Sequence, residues 1–308
     1  MLQGHICSIL TFYKEIWEKF LRRMQDTVSS RIYVTGSSAK LLSREIATQL
    51  RGRTLSSTLL PFSFRERLAY FGIDARDLHS TANRNRIISQ FDAYLHRGGY
   101  PEVLNIDEDA FVRIMQEYGD VLLYRDIIER HNLSNPHVVR EFLLRLITGN
   151  SKPISVNKIH NDFRSRGVST SKDTLYALLD HFVDAYAAFE LKKYDRSVAR
   201  RERTQSKIYV NDTGYATAYR PAFSDDAGQK LETLVFLQLL RKNRDVYYFT
   251  AQAQECDFVV TDRGHVSTLI QVCYALDERN KDREIKGLTT AMKATGRSRG
   301  LLLTYNDR

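Results

Sequence analysis

The sequence has little cysteine and no long hydrophobic run. Its three cysteines, Cys7, Cys256 and Cys273, have neither the even number nor the spacing of a disulfide framework or a zinc module, so we expect a reducing, cytoplasmic location. No apolar run approaches the roughly 20 residues that a membrane-spanning helix needs, and residues 7–13 lack the flanks of a signal peptide. These absences predict a protein without a membrane partner.

A second absence concerns nucleotide binding. A Walker-type loop needs glycines that expose backbone amides to the phosphates, followed by Gly-Lys-Ser/Thr, and the chain contains no Gly-Lys dipeptide. The stretch RIYVTGSSAKLLSREI (31–46) predicts a strand, a Gly36 turn and a helix, but Lys40 is misplaced and a second glycine is missing. No Asp-Glu pair follows an apolar strand to hold magnesium. The sequence therefore argues against a complete P-loop site.

Acidic residues are fewer than basic ones. Asp and Glu number 37 against 46 Lys and Arg, which gives a net charge of +9 and a pI near 9.4. Clustered cations bind polyanions by releasing counterions, so nucleic acid is the partner class that this charge favours. The length of 308 residues, with 43% apolar and 27% charged residues, is typical of a globular chain with several domains.

The middle of the chain has the pattern of a winged helix-turn-helix. Apolar spacing predicts helices over 138–147, over 155–166, and from 169 or 171 to about 185, with Gly167 between the last two. Strands predicted at 188–194 and 207–210 flank a basic loop over 196–203, and from 192 to 207 seven basic residues outnumber two acidic ones. The predicted contacts to double-stranded DNA are Lys172, Thr174, Arg196, Arg200, Arg201 and Arg203. Winged helices also serve as protein-interaction modules with solvated basic loops, so that alternative stays open.

Several collinear motifs resemble one protein family. WEKFLRRM, IYVTGSSAKLLSREIATQLRGRTLSSTLLPFSFRERL, YLHRGGYPEVL, LLYRDIIERH, KIYVNDTG, CDFVV and LIQVCYAL, spread over residues 17–305, are similar to prokaryotic AAA-type (AAA+) ATPases that carry a carboxy-terminal domain of unknown function, number 4143. The resemblance implies ATP and Mg²⁺ as family cofactors. In the family the Walker A and Walker B strands precede WEKFLRRM, so we expect a truncated member that binds neither cofactor tightly. A full-length relative or a homo-oligomer is the expected protein partner.

The same resemblance assigns roles near residue 31. It places Ser37 at the sensor position that ends a core strand, and Arg51 or Arg53 where an arginine finger reaches a neighbouring subunit's nucleotide. Ser37 is equally compatible with a helix cap, and the two arginines with a solvated helix end that the helix dipole favours. The sequence does not separate these alternatives.

The last third, with its order of helix, three strands, helix and strand, resembles the restriction-endonuclease-like core. By position, that resemblance makes Glu232, Asp257 and Gln271 the catalytic candidates, with Glu232 and Asp257 as the metal ligands. Such nucleases need carboxylates to hold magnesium and a lysine beside the attacking water. Cys273 stands at the lysine position and has no fixed charge, so we expect weak metal binding and an inactive relic.

These inferences predict a multidomain α/β protein. The expected domains are a partial AAA+ core over 1–61, a helical lid over 62–135, a winged helix-turn-helix over 136–220 and a restriction-endonuclease-like domain over 221–308. The expected function is DNA or partner binding without ATP hydrolysis by the chain alone. Two enzymatic alternatives remain: an ATPase subunit that another chain completes, and a metal-dependent DNA nuclease.

Overall fold

The computed structural model describes residues 57–219, 227–242 and 244–305, together with residues 23, 24, 26, 27, 33, 35–37 and 55. The chain divides into two compact units, one made of residues 1–59 and 184–186 and the other of residues 60–183 and 187–308. Nearly all described helices and strands belong to the second unit. They form a mixed α/β structure with two sheets.

The first part of this unit is helical, as predicted. It contains α1 (Phe64–Tyr70), α2 (Thr81–Arg97), a 3₁₀ turn (Pro101–Val103), α3 (Glu108–Val121) and a π-helical turn (Leu122–Glu129). Ser63 and Glu66 form a reciprocal capping box at the start of α1. Gly98 ends α2 with a φ of 74°, a conformation that favours glycine.

The middle part contains α4 (Pro136–Thr148), α5 (Val156–Ser165) and α6 (Lys172–Asp184). The Ser155 side chain caps α5 by accepting the Lys158 N–H, and Gly167 turns the chain toward α6 with a φ of 75°. Strands β1 (Ala188–Leu191) and β2 (Lys207–Val210) pair antiparallel. Between them the segment predicted as a basic loop contains a short helix, α7 (Val198–Arg203).

The last part contains α8 (Thr213–Tyr219), α9 (Ala227–Arg241), β3 (Asp245–Ala251), β4 (Gln254–Asp262), β5 (His265–Cys273), α10 (Lys281–Thr295) and β6 (Leu301–Thr304). The sheet order is β3-β4-β5-β6, with β3, β4 and β5 antiparallel and β6 parallel to β5. This order of elements agrees with the predicted one. A parallel neighbour requires a crossover connection, and α10 provides it.

The sheet packs between two helices. Phe258, Val260 and Ile270 lie in one apolar core with Leu234 of α9, whereas the alternate strand residues Val259 and Leu269 lie in another core with Leu288 of α10. This alternation is the expected consequence of the two-residue period of a strand. The last part of the chain is therefore an α/β/α sandwich, with α9 packed on one face of the sheet and α10 on the other.

The β1–β2 hairpin joins this sandwich at the edge of β3. Tyr248 donates its backbone N–H to the Lys192 carbonyl over 3.0 Å, and the Tyr194 N–H donates to the Tyr248 carbonyl. Lys193 and Tyr248 thereby form a parallel bridge. Because an unpaired edge strand exposes backbone groups, the segment after β1 covers part of the β3 edge. The hairpin and the sandwich therefore form one continuous structure, and the domain boundaries at 61/62, 135/136 and 220/221 stay predictions.

Candidate functional site

The three residues predicted as catalytic lie close together in the sandwich. Glu232 lies on α9, Asp257 on β4 and Gln271 on β5. The β4–β5 register runs from Asp262 to Phe258, which pairs with Ile270. Just beyond this pair, Asp257 Oδ2 accepts the Val272 N–H over 2.9 Å, and the Asp257 N–H points to Gln271 Oε1 at 3.4 Å. The Asp257 carboxylate thus continues the contact between β4 and β5.

Lys207 of β2 completes the group. Its ammonium nitrogen lies 3.0 Å from Glu232 Oε1, 2.6 Å from Glu255 Oε1 and 3.4 Å from Asp257 Oδ1. The side chain is only 2% exposed. The sequence interpretation counted Lys207 among the basic residues of the wing, and this was wrong, because the lysine is buried among carboxylates. We call Lys207, Glu232, Glu255 and Asp257 the carboxylate cluster.

Tyr209 binds the same carboxylate from the same strand. Its hydroxyl donates to Glu232 Oε1 over 2.5 Å, and its ring stacks on Phe236 with 4.2 Å between the ring centroids. Lys207 and Tyr209 are two residues apart on β2, so both side chains leave the strand on one face. This spacing, K-x-Y in KIYV, is a signal that sequence reasoning missed.

Burial and charge act in opposite directions on Lys207 and Asp257. Burial alone lowers the pKa of Lys207, but the carboxylates of Glu232, Asp257 and Glu255 outweigh it and raise this pKa above its ordinary value. Burial, reinforced by the neighbouring Glu232 carboxylate, raises the pKa of Asp257, and Lys207 opposes this rise. The surrounding carboxylates therefore favour the charged ammonium form of Lys207.

Gln271 and Cys273 have other partners. The Gln271 amide nitrogen donates to Glu284 Oε2 over 2.6 Å, and Arg283 pairs with the other oxygen of Glu284. The Cys273 thiol is buried and donates to the Ala275 carbonyl over 2.9 Å. With Lys207 in place, no group of three or more His, Cys, Asp and Glu side chains among the described residues is arranged to hold a metal ion. Both predicted metal ligands, Glu232 and Asp257, are paired with Lys207.

The residues predicted to contact DNA differ in their surroundings. Lys172 and Thr174 are exposed on the first turn of α6, where Ser171 Oγ accepts the Thr174 N–H. Arg196 and Arg203 are also exposed. Arg201 instead donates to the Tyr247 hydroxyl over 2.9 Å and lies over its ring. Arg200, the last of the predicted residues, pairs with Asp195 at 3.3 Å.

The predicted nucleotide residues lie mostly beyond what the structure describes. Arg51 and Arg53 are outside the described residues, and Ser37 is an exposed residue in a bend. A cavity of about 370 Å³, lined by residues that include Phe71, Ile73 and Gln90, contains none of the predicted site residues. No helix in the described part of the chain has the length and apolar character to cross a membrane.

Two family models match the chain. The model described as "AAA domain" matches residues 12–68, and the model described as "Domain of unknown function (DUF8612)" matches residues 88–226. The chain is 36% identical to "Uncharacterized protein MJ1544" of Methanocaldococcus jannaschii, over 96% of this chain and 68% of the relative. The chain belongs to the family of MJ1544. An "Uncharacterized protein" of Haemophilus influenzae is 26% identical over 88% of this chain and 66% of its own length. No solved structure matches significantly.

The two family-model matches confirm an AAA-type region followed by a domain of unknown function. The matched segment 88–226 contains Lys207 and Tyr209, whereas Glu232, Glu255 and Asp257 follow it. The carboxylate cluster therefore joins the matched domain to the sandwich. The resemblance to the domain of unknown function 4143 stays a prediction.

Proposed function

We propose that this member of the MJ1544 family binds double-stranded DNA through α5, α6 and the β1–β2 hairpin, acting as a winged helix-turn-helix, and that its nuclease-like sandwich has no catalytic activity. The observation that carries the proposal is the exposure of Lys172 and Thr174 on the first turn of α6, the second helix of a pair joined at Gly167. The N-terminal turn of a recognition helix is where side chains meet base edges and phosphates.

The hairpin supports this proposal through its remaining free cations. Arg196 and Arg203 are exposed, and no ion pair involves either of them among the described residues. An unpaired arginine can bind phosphate without first breaking an internal contact. With Lys207 and Arg201 engaged in the fold, these two arginines and Lys172 are the strongest candidates for phosphate contacts.

The AAA-type region has a different proposed role. The absence of a Gly-Lys dipeptide removes the cation that a Walker-type loop places on the phosphates. The residues present therefore do not fit tight binding of ATP and Mg²⁺, and the chain does not hydrolyse ATP by itself. A full-length relative or a second copy of the chain is the partner that would supply a complete nucleotide site, with Ser37, Arg51 and Arg53 as the candidate contacts.

Duplex binding measured by fluorescence anisotropy at several salt concentrations tests the DNA proposal. The double variant Lys172→Glu with Arg203→Glu should lose at least tenfold in affinity, and its salt slope should fall by about 2, because two phosphate contacts are removed. A glutamate in the first turn of α6 suits the helix dipole, so the fold should persist. The matched control is Lys286→Glu with Lys293→Glu, which makes the same charge change on exposed positions of α10.

The control should lose affinity only through the change in net charge. Affinity that does not depend on salt, or an equal loss in both double variants, would refute the assignment of DNA binding to α6 and the hairpin. ATP binding by the wild-type chain, measured by calorimetry with Mg²⁺, should be absent or weak. Tight binding would refute the role given to the AAA-type region.

A further inference from the structure

The carboxylate cluster has one cation, and that cation is part of the protein. Glu232, Glu255 and Asp257 approach a single point from α9 and β4, and Lys207 Nζ lies at that point, 2.6–3.4 Å from an oxygen of each. These distances are those of N–H···O contacts and close ion pairs. A divalent metal ion held by the same oxygens would need the position that the ammonium fills.

The position of the ammonium is fixed by the backbone of the hairpin. Lys207 pairs with Leu191 in the β1–β2 ladder and forms a second bridge with Pro153 on its other side. The adjacent Ile208 N–H donates to the Lys152 carbonyl over 3.2 Å. These backbone contacts on both sides hold β2, and with it the Cα of Lys207, beside the cluster. The Tyr248 ring lies 5.8 Å from Nζ and contributes to the enclosure.

We propose that Lys207 is the resident cation of the carboxylate cluster, that it excludes a divalent metal ion from it, and that removing its charge converts the cluster into a Mn²⁺ or Mg²⁺ site. Asp257 is buried, whereas the side chains of Glu232 and Glu255 are 13% and 41% exposed. Without a cation these neighbouring carboxylates repel one another, and a bound metal ion would relieve the repulsion as the ammonium does. This inference rests on the proposal that the sandwich is catalytically inactive, and it gives a physical cause for that inactivity. It does not depend on the proposed DNA binding.

The test compares the wild type with Lys207→Met, which keeps the length of the side chain and removes the charge. Thermal unfolding is recorded at pH 8 in EDTA and in increasing Mn²⁺ or Mg²⁺. The wild-type Tm should not respond to either ion. Lys207→Met should have a lower Tm in EDTA, and saturating Mn²⁺ should raise this Tm by about 3–5 °C. The response should disappear in Lys207→Met with Asp257→Asn, which would locate the ion in the cluster.

Two further measurements cover a variant that folds poorly. Lys207→Gln keeps hydrogen-bond donors without a charge and should also gain a Mn²⁺ response. Direct Mn²⁺ binding to the wild type, followed by electron paramagnetic resonance, should be absent. Wild-type binding at the cluster, or folded Lys207→Met and Lys207→Gln that ignore Mn²⁺, would overturn the inference.

A plasmid cleavage assay separates this inference from the proposed function. Metal-dependent cleavage by the wild type that is lost in Lys207→Met would overturn both, since Lys207 would then be a catalytic residue. Absence of cleavage combined with no gain of metal binding in the variants would overturn the inference alone. Absence of cleavage combined with a Mn²⁺ response in both variants supports both.

Discussion

Asp212 holds together two glycine-containing segments of the chain. Its carboxylate is buried, and it accepts the Gly99 N–H through Oδ2 and the Gly214 N–H through Oδ1, both over 2.7 Å. A Cβ on Gly98 would lie 1.6 Å from Oδ1, so the contact requires glycine there. In Asp212→Ala the two buried N–H groups would lose their partner. Each such loss costs about 1–3 kcal/mol, so the free energy of unfolding at pH 5 should fall by about 2–6 kcal/mol.

The loss should depend on pH in a defined direction. Burial raises the pKa of Asp212 from its ordinary value of 3.8 to about 6, and the two N–H bonds oppose that rise. Because the folded-state pKa is the higher one, the carboxyl contributes its full stability below about pH 4 and loses it as the pH rises through about 6. The difference in unfolding free energy between the wild type and Asp212→Ala should therefore be larger at pH 5 than at pH 7.5.

Urea unfolding at both pH values measures this difference in unfolding free energy, and Asp277→Ala serves as the control. Asp277 Oδ1 also accepts two backbone N–H groups, from Arg279 and Asn280, over 2.9 and 3.0 Å. Its side chain is 41% exposed, so water can replace the lost acceptor and the urea midpoint should change little. If the two variants lose equal stability, burial does not amplify the Asp212 contact. If the loss from Asp212→Ala grows with pH, the direction of its pKa shift is wrong.

Two other features give simple stability predictions. Gly287→Ala should destabilise the fold by about 1–3 kcal/mol, because its Cβ would lie 2.0 Å from the Glu255 carbonyl oxygen. Gly228→Ala, in open space on α9, should instead stabilise by about 0.5–1 kcal/mol, and urea midpoints that shift the same way in both variants would contradict the packing argument. Ser155→Ala removes the acceptor of the Lys158 N–H and should cost about 1 kcal/mol. An unchanged thermal midpoint for Ser155→Ala would show that the cap contributes nothing.

Local patterns in the sequence predicted most of the fold. The helix predicted over 155–166 is α5 (Val156–Ser165), and the strand predicted at 207–210 has those bounds in the structure. Both follow from periodicity and end signals that lie within the segments themselves. The partners of β2 are not local, because its position beside Pro153 and its side-chain contacts to α9 and β4 join residues far apart in the chain.

The candidate site was likewise only partly predictable, because some of its contacts join residues far apart in the chain. Position within a recognised order of elements was enough to place Glu232, Asp257 and Gln271 near one another. It did not reveal that Lys207 lies among the carboxylates, because charge in a sequence does not say which cations are solvated. Lys207 stands at the end of a basic segment and was grouped with it. Tyr209, two residues after Lys207 on the same strand, was the available evidence that this strand presents a polar face to α9.

The position of Lys207 also limits the DNA contacts that the hairpin is proposed to make. Moving β2 away from the sandwich would separate the ammonium from Glu232, Glu255 and Asp257 and would leave the buried Asp257 without its cation. Removing one partner of a buried ion pair typically costs about 3–5 kcal/mol, because the other charge is left without compensation. The backbone bridge between Lys193 and Tyr248 would also be lost. If the hairpin binds DNA as proposed, it would do so while docked on the sandwich, and the DNA contacts would be restricted to side chains that are exposed in this arrangement.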